Sequence, residues 1–204
     1  SEISREGHAM LIKHHQRQLL LFDGRYSWDL RSVLLLMIAL GVIARIIWLF
    51  FIDPEPVSDT DVYLSRATSI AQGEGYAYPD GSPTAYWPVG YPAFLALVLF
   101  LFDGLTLAGK IANIFLFCGT SVLIFAIAKR IQMEGGGLIS VFYLSFSPNQ
   151  IAYSNLFASE PLSLFLLSAV VLLCLIISVN KTWLHVILLG MVFAASIYVK
   201  PQLA

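Results

Sequence analysis

The chain has 204 residues, 58% of them apolar and 12% charged, with a formal net charge of −1 and a mean hydropathy of +0.77. A soluble domain carries about 25% charged residues, so the composition excludes an ordinary water-soluble globule and points to lipid. The net charge of −1 says nothing about nucleic acid, and no nucleic-acid partner is expected.

Residues 1–31 are polar and mixed in charge, with Arg5, Lys13, Arg17, Arg25 and Arg31. They read as a cytoplasmic tail, because no small-residue cleavage site follows the first apolar run. His8, His14 and His15 lack the spacing and partners of a metal site. Ser32 to Ile52 is long enough to cross a bilayer, which takes about 20 residues. The basic residues before it stay in the cytoplasm, so this span runs outward and residues 53–106 form an external loop. Arg45 interrupts the outer half of the span, where a central Arg costs about 2.5–3.5 kcal/mol on insertion scales. Two outcomes are open for it: snorkelling to the outer headgroups, or pairing with an acid of the loop.

The loop sets Asp53, Glu55, Asp59, Asp61, Glu74 and Asp80 against Arg66. Val57 to Asp61 opens a helix, in which Ser58 is a natural N-cap and Asp61 completes a capping-box-like pair. Tyr63, Ala67, Ile70 and Ala71 recur at helical spacing, an apolar face suited to lying on the membrane. Gly73 and Gly75 end this helix. Tyr76, Tyr78, Tyr86, Trp87 and Tyr91 then alternate with prolines. They read as a headgroup belt, and equally as a sugar platform or the wall of an isoprenoid site.

Val89 to Phe102 is apolar but reaches only about 21 Å, short of the roughly 30 Å core. If it crossed, Lys129 and Arg130 after the next span would lie outside, so it is expected in the outer interface. Further spans follow at about 107–128, 138–157, 162–179 and 183–199, with Pro148 and Asn149 bending the outer part of 138–157. Gly190, Ala194, Ala195 and Ser196 give the last span a small-residue side for helix packing. Cys118 and Cys174 sit in apolar runs and read as small buried hydrophobes, neither a disulfide nor a metal pair. The fold class is therefore an all-α membrane protein of about five transmembrane helices, with a large external first loop that contains membrane-parallel helices.

Two helix starts on the outer side carry acids: Asp59 with Asp61, and Glu160 between Ser159 and Pro161. Each has a plain structural explanation. Asp61 caps its helix, Asp59 complements the dipole, and Ser159 caps a second helix with an acid in its first turn. Carboxylates held at one depth near an interface also suit general-base catalysis or cation binding.

The runs S-D-T-D-V-Y-L-S-R-A-T-S-I-A-Q-G-E-G-Y, Y-W-P-V-G-Y-P-A-F-L-A, F-A-S-E-P-L and Y-V-K-P resemble the N-terminal half of GT-C membrane glycosyltransferases. The nearest likeness is to the polyprenyl-phosphate-sugar-dependent group, with the protein mannosyltransferases and the lipid A aminoarabinose transferases. The resemblance implies a catalytic acid at the start of a membrane-parallel helix in a D-x-x-x-Y setting, matched by Asp59 and Tyr63. It implies a second acid before Pro at the outer start of the fourth span, matched by Glu160-Pro161. Val62 and the pair Tyr86-Trp87 depart from the aminoarabinose subgroup, which carries a basic residue and a Glu-Lys pair there.

What the resemblance implies is inverting transfer of a sugar from a polyprenyl-phosphate carrier to a hydroxyl of a lipid, glycan or protein acceptor, on the outer face of a bacterial cytoplasmic membrane. Asp59 takes the acceptor's proton, and Glu160 and Asp61 position the acceptor or hold a cation. Tyr63 belongs to the substrate site, and Trp87 and Tyr91 lie against the carrier. Arg66, Lys110 and Lys200 are the cations for its phosphate. No metal ligands are assigned, and a divalent cation stays open as a cofactor. The chain is expected to be a truncated front half, inactive alone. Rival classes are a scaffold subunit of a polysaccharide or lipid-carrier machine and a transporter or flippase fragment. A transporter calls for mid-span polar residues in paired broken helices, and a scaffold has no need of acids at both helix starts.

Overall fold

The computed structural model describes residues 26–52, 59–78, 80–180 and 182–201. Among these residues the regular structure is helical: α1 (Tyr26–Phe51), α2 (Asp59–Ala71), α3 (Gly90–Leu101), α4 (Thr106–Arg130), α5 (Glu134–Phe146), α6 (Pro148–Ala152), α7 (Glu160–Val179) and α8 (Trp183–Val199). Leu30–Phe51, Thr106–Arg130 and Glu160–Val179 are long and apolar enough to cross a membrane. At 12 residues, α3 reaches about 18 Å and is too short to cross. The expected cap Ser58 and the histidines of the N-terminal tail lie outside the described residues.

The expected span 138–157 is an interrupted helix. It begins earlier, at Glu134, stops at Phe146 and restarts as the single turn α6, after which residues 153–159 are non-helical. The break follows from Pro148, which has no N–H to give the Leu144 carbonyl one turn back. Arg45 fills the gap. Its Nη2 donates to Leu144 O at 2.8 Å, and its Nη1 to Ser145 O at 3.1 Å and Gly41 O at 3.0 Å. The guanidinium lies 3.6 Å from the Phe117 ring centroid and is 2% exposed. The expectation of snorkelling is therefore overturned, and among the described residues Arg45 meets no acid of the loop; Asp53 and Glu55 lie outside them. It satisfies main-chain carbonyls that a helix break would otherwise leave bare in hydrocarbon. Buried hydroxyls follow the same economy, with Thr120 bonding Leu116 O and Ser121 bonding Phe117 O one turn back.

The bundle packs α1 on α5, α5 on α4, α4 on α7, and α7 on α8. At one end Leu34, Phe125 and Val141 form a small core from α1, α4 and α5. At the other end a larger core joins Tyr63 and Ala67 of α2 to Tyr91, Leu95 and Leu99 of α3, and to Leu116, Phe157, Leu162 and Val199. The face of α2 expected to lie on the membrane thus packs into protein, against α3. A Schellman turn ends α2: Glu74 N bonds Ser69 O, Gly73 N bonds Ile70 O, and Gly73 adopts φ 82°. Helix α3 in turn meets the end of α8 at Gly90. A Cβ there would sit 2.6 Å from the Tyr198 and Val199 main chain, so only glycine allows the approach.

Two smaller expectations change. Ser196 is buried and bonds Phe193 O, while Gly190, Ala194 and Ala195 stay exposed, so the small-residue side is not one continuous face. Cys174 lies on the exposed surface and Cys118 is half-buried; both are free thiols.

Candidate functional site

The acid-bearing helix starts come together at the end of the bundle where the larger core lies. The arrangement is built by main-chain anchors. Asn155, in the non-helical run before α7, donates to Ile52 O at the end of α1. Asn113 of α4 donates to Leu156 O at 3.0 Å and reaches the Tyr153 carbonyl at 3.4 Å. These two amides fix the run 153–159, and with it the start of α7 and Glu160. Sequence reading missed both. Their signal is a carboxamide in an apolar span and another just before a helix start.

At the start of α7, Ser159 is buried but does not cap the helix through its side chain, contrary to expectation. Its carbonyl accepts from the Ser163 hydroxyl at 2.6 Å, and its own hydroxyl lies at the phenol of Tyr63. Glu160 Oε1 accepts from Lys200 Nζ at 2.9 Å, with both side chains about one-third exposed, at 37% and 33%. The end of α8 therefore supplies a cation directly to the second acid.

Tyr63 is where the two helix starts meet. Burial raises its pKa above the usual phenol range, and the Ser159 hydroxyl opposes that rise. Asp59 and Glu160 both add to the rise, and Lys200 works against it. One phenol thus senses all three charged groups and stays protonated at neutral pH, as a hydrogen-bond donor. Helical geometry agrees: Asp59 precedes Tyr63 by four residues and shares its face. Asp61 stands about 200° round the helix from Asp59, though both carboxylates are exposed. The structure brings Asp59, Tyr63, Glu160 and Lys200 together and leaves Asp61 on the far side of α2.

The aromatic residues form a support more than a wall. Tyr63 meets Trp87 and Tyr91 edge-on, at 6.0 Å and 5.2 Å between centroids. Tyr91 is 1% exposed. Its phenol faces the Asn113 amide and the Ala158 main chain without a well-formed hydrogen bond to either, and burial pushes its pKa up. Tyr91 cannot present its ring to a carrier; it carries Tyr63 from beneath. Trp87 is half-buried and Tyr86 is open to solvent. Arg66, expected to meet phosphate, is buried. Its Nη1 donates to Ala77 O at 2.7 Å, and its guanidinium lies 4.4 Å from the Tyr78 ring centroid. Arg66 holds the loop that follows α2. In that loop Asp80 accepts from the Ser82 hydroxyl and N–H, which lowers its pKa. Among the described residues no three His, Cys, Asp or Glu side chains gather as a metal site.

Arg31, Lys129 and Arg130 lie with Glu134 at the end of the smaller core, and Asp59, Asp61, Glu74, Asp80, Asp103 and Glu160 lie with Arg66, Lys110 and Lys200 at the other. Residues 87–204 match the family model described as dolichyl-phosphate-mannose-protein mannosyltransferase. The matched stretch contains Trp87, Tyr91, Glu160 and Lys200 and begins after α2. No curated protein and no solved structure matches the chain.

Proposed function

The chain belongs to the dolichyl-phosphate-mannose-protein mannosyltransferase family, a GT-C-type family of integral membrane glycosyltransferases, and from that membership we propose that it transfers a sugar from a polyprenyl-phosphate carrier to an acceptor hydroxyl. The observation that carries the proposal is the meeting of Asp59, Glu160 and Lys200 around Tyr63. A carboxylate near the attacking hydroxyl and a cation near the departing phosphate are the two electrostatic needs of such a transfer.

Asp59 is the base. It takes the acceptor's proton as the hydroxyl oxygen attacks the anomeric carbon, the bond to the carrier phosphate breaks, and the phosphate leaves with the electron pair. A single displacement of this kind inverts the anomeric centre. Glu160 orients the acceptor, and Lys200 meets the phosphate charge. Tyr63 holds α2 against α7 and donates its phenolic hydrogen within the site. Tyr91, Asn113 and Arg66 support these groups without touching substrate. Asp61 is a surface acid in this account. In this reading five segments cross, with the N-terminus and the end that carries Lys129 and Arg130 in the cytoplasm, the end that carries Asp59 and Glu160 outside, and α2 and α3 along the outer interface, in the manner of a bacterial inner-membrane enzyme.

The test is turnover in proteoliposomes, with the chain in a full-length context and a panel of polyprenyl-phosphate sugars, against a protein-free control and against nucleotide sugars. Protein-dependent transfer from a lipid-linked donor is expected. Transfer from nucleotide sugars alone would refute the reading.

A further inference from the structure

The Glu160–Lys200 pair is set unlike a structural ion pair. It joins two helices already paired along their length, and both side chains are too exposed for the contact to hold firmly. The pair forms the edge of an open groove of about 280 Å³ whose other polar groups are Gln150, Tyr153 and Ser163. Among the described residues lining the groove, Lys200 is the one cation and Glu160 the one carboxylate. Any anion that enters must therefore compete with Glu160 for Lys200. The groove floor is apolar, made by Leu164 and Leu167. Exposed Val171 continues it down α7 at helical spacing, from the ion pair toward the middle of the bundle. A ligand that fits has an anionic head at Lys200 and a hydrocarbon chain laid along that stripe.

Resting on the reading that a lipid-linked phosphate is the donor, we propose that the Glu160–Lys200 pair is a latch that the lipid phosphate opens by exchange. The phosphate takes Lys200, to which its several oxygens offer more acceptors than one carboxylate. Glu160 is expelled by like charge and becomes free for the acceptor's hydroxyls. No covalent bond changes in this step. The latch makes binding ordered: with Glu160 held by Lys200 the acceptor lacks its anchor, so the lipid phosphate binds first.

Binding is read without turnover, in nanodiscs holding the full chain, with polyprenyl phosphate, inorganic phosphate and uncharged polyprenol as separate probes. The latch predicts that Glu160→Gln binds polyprenyl phosphate about two- to fivefold more tightly than the wild type, because a competitor has been removed. Lys200→Met should weaken binding and abolish that gain in the double variant. Polyprenol should be indifferent to either change, and inorganic phosphate, which has no chain to lay along the stripe, should bind far more weakly than polyprenyl phosphate in every variant. Glu160→Ala reads the same exchange if Glu160→Gln does not yield folded protein. Unchanged or weaker binding in the folded Glu160 variant overturns the latch, as does wild-type binding in Lys200→Met. Binding of inorganic phosphate as tight as that of polyprenyl phosphate overturns the lipid as its ligand. Failure of the exchange leaves the transfer reading standing, because transfer is read by turnover and does not need the pair to open before the acceptor binds.

Discussion

Among the described residues Arg45 meets no carboxylate, and its neighbourhood explains why it is stable there. The Leu144 and Ser145 carbonyls lie beside the break that Pro148 imposes, and the Gly41 carbonyl lies one turn back on Arg45's own helix. Hydrogen bonds from a charged donor are worth about 1.5–3 kcal/mol each, so Arg45→Met should cost about 3 kcal/mol or more, read as an unfolding midpoint in detergent. Arg45→Lys should recover little, because an ammonium cannot reach two carbonyls with a fork. Pro148→Ala returns an N–H to Leu144 O and should soften the Arg45→Met loss by about 1 kcal/mol in a double-mutant cycle. The two residues lie about 100 positions apart, and for that reason the sequence shows an Arg in a span and a Pro in another without showing that one answers the other. Asp61 carries the reverse lesson. It looks equal to Asp59 as a sequence position, yet helical geometry turns it away from the face of Tyr63. Asp61→Asn should change stability by less than about 0.5 kcal/mol and leave transfer near wild type, as measured by initial rates.

At the scale of elements, the positions of helices were legible and their partners less so. The short length of the α3 segment, the glycine stop after α2 and the proline near 148 all appear as features of the chain itself. What α2 lies against does not, because an amphipathic face suits a lipid surface or a protein surface equally well. Tyr63 and Ala67 resolve the choice by being buried under α3. Tyr91 was misjudged for a related reason: an aromatic beside prolines resembles a ligand wall, and only the packing tells that Tyr63 covers it. The contact of α3 with α8 depends on Gly90. Gly90→Ala forces a methyl onto main-chain atoms that cannot rotate away, with an expected cost of about 1–3 kcal/mol. It should also lower transfer without touching any acid, since α3 carries Tyr91 beneath Tyr63. Thermal unfolding and initial rates on the same preparation separate the two effects.

For the whole molecule, the account joins a topology to a site. Lys129-Arg130 at one end and the excess of acids at the other were readable from the chain, as were Glu160-Pro161 and the D-x-x-x-Y pattern around Asp59. The anchors Asn113 and Asn155 and the Glu160–Lys200 contact were not, because each bridges segments 40 or more positions apart. The topology predicts that a cysteine replacing Asp103 reacts with an impermeant reagent from outside while one replacing Lys129 is protected; the opposite pattern would invert the site's side of the membrane. The claim at the centre is that Asp59 is the base of a sugar transfer. The measurement that meets it most directly is the initial rate of transfer from a polyprenyl-phosphate sugar by reconstituted Asp59→Asn protein, with carrier binding measured on the same sample. A general base contributes about 10²- to 10⁴-fold, so the rate should fall by at least about 100-fold with carrier binding unchanged. A variant that transfers within a few-fold of the wild type would contradict the account.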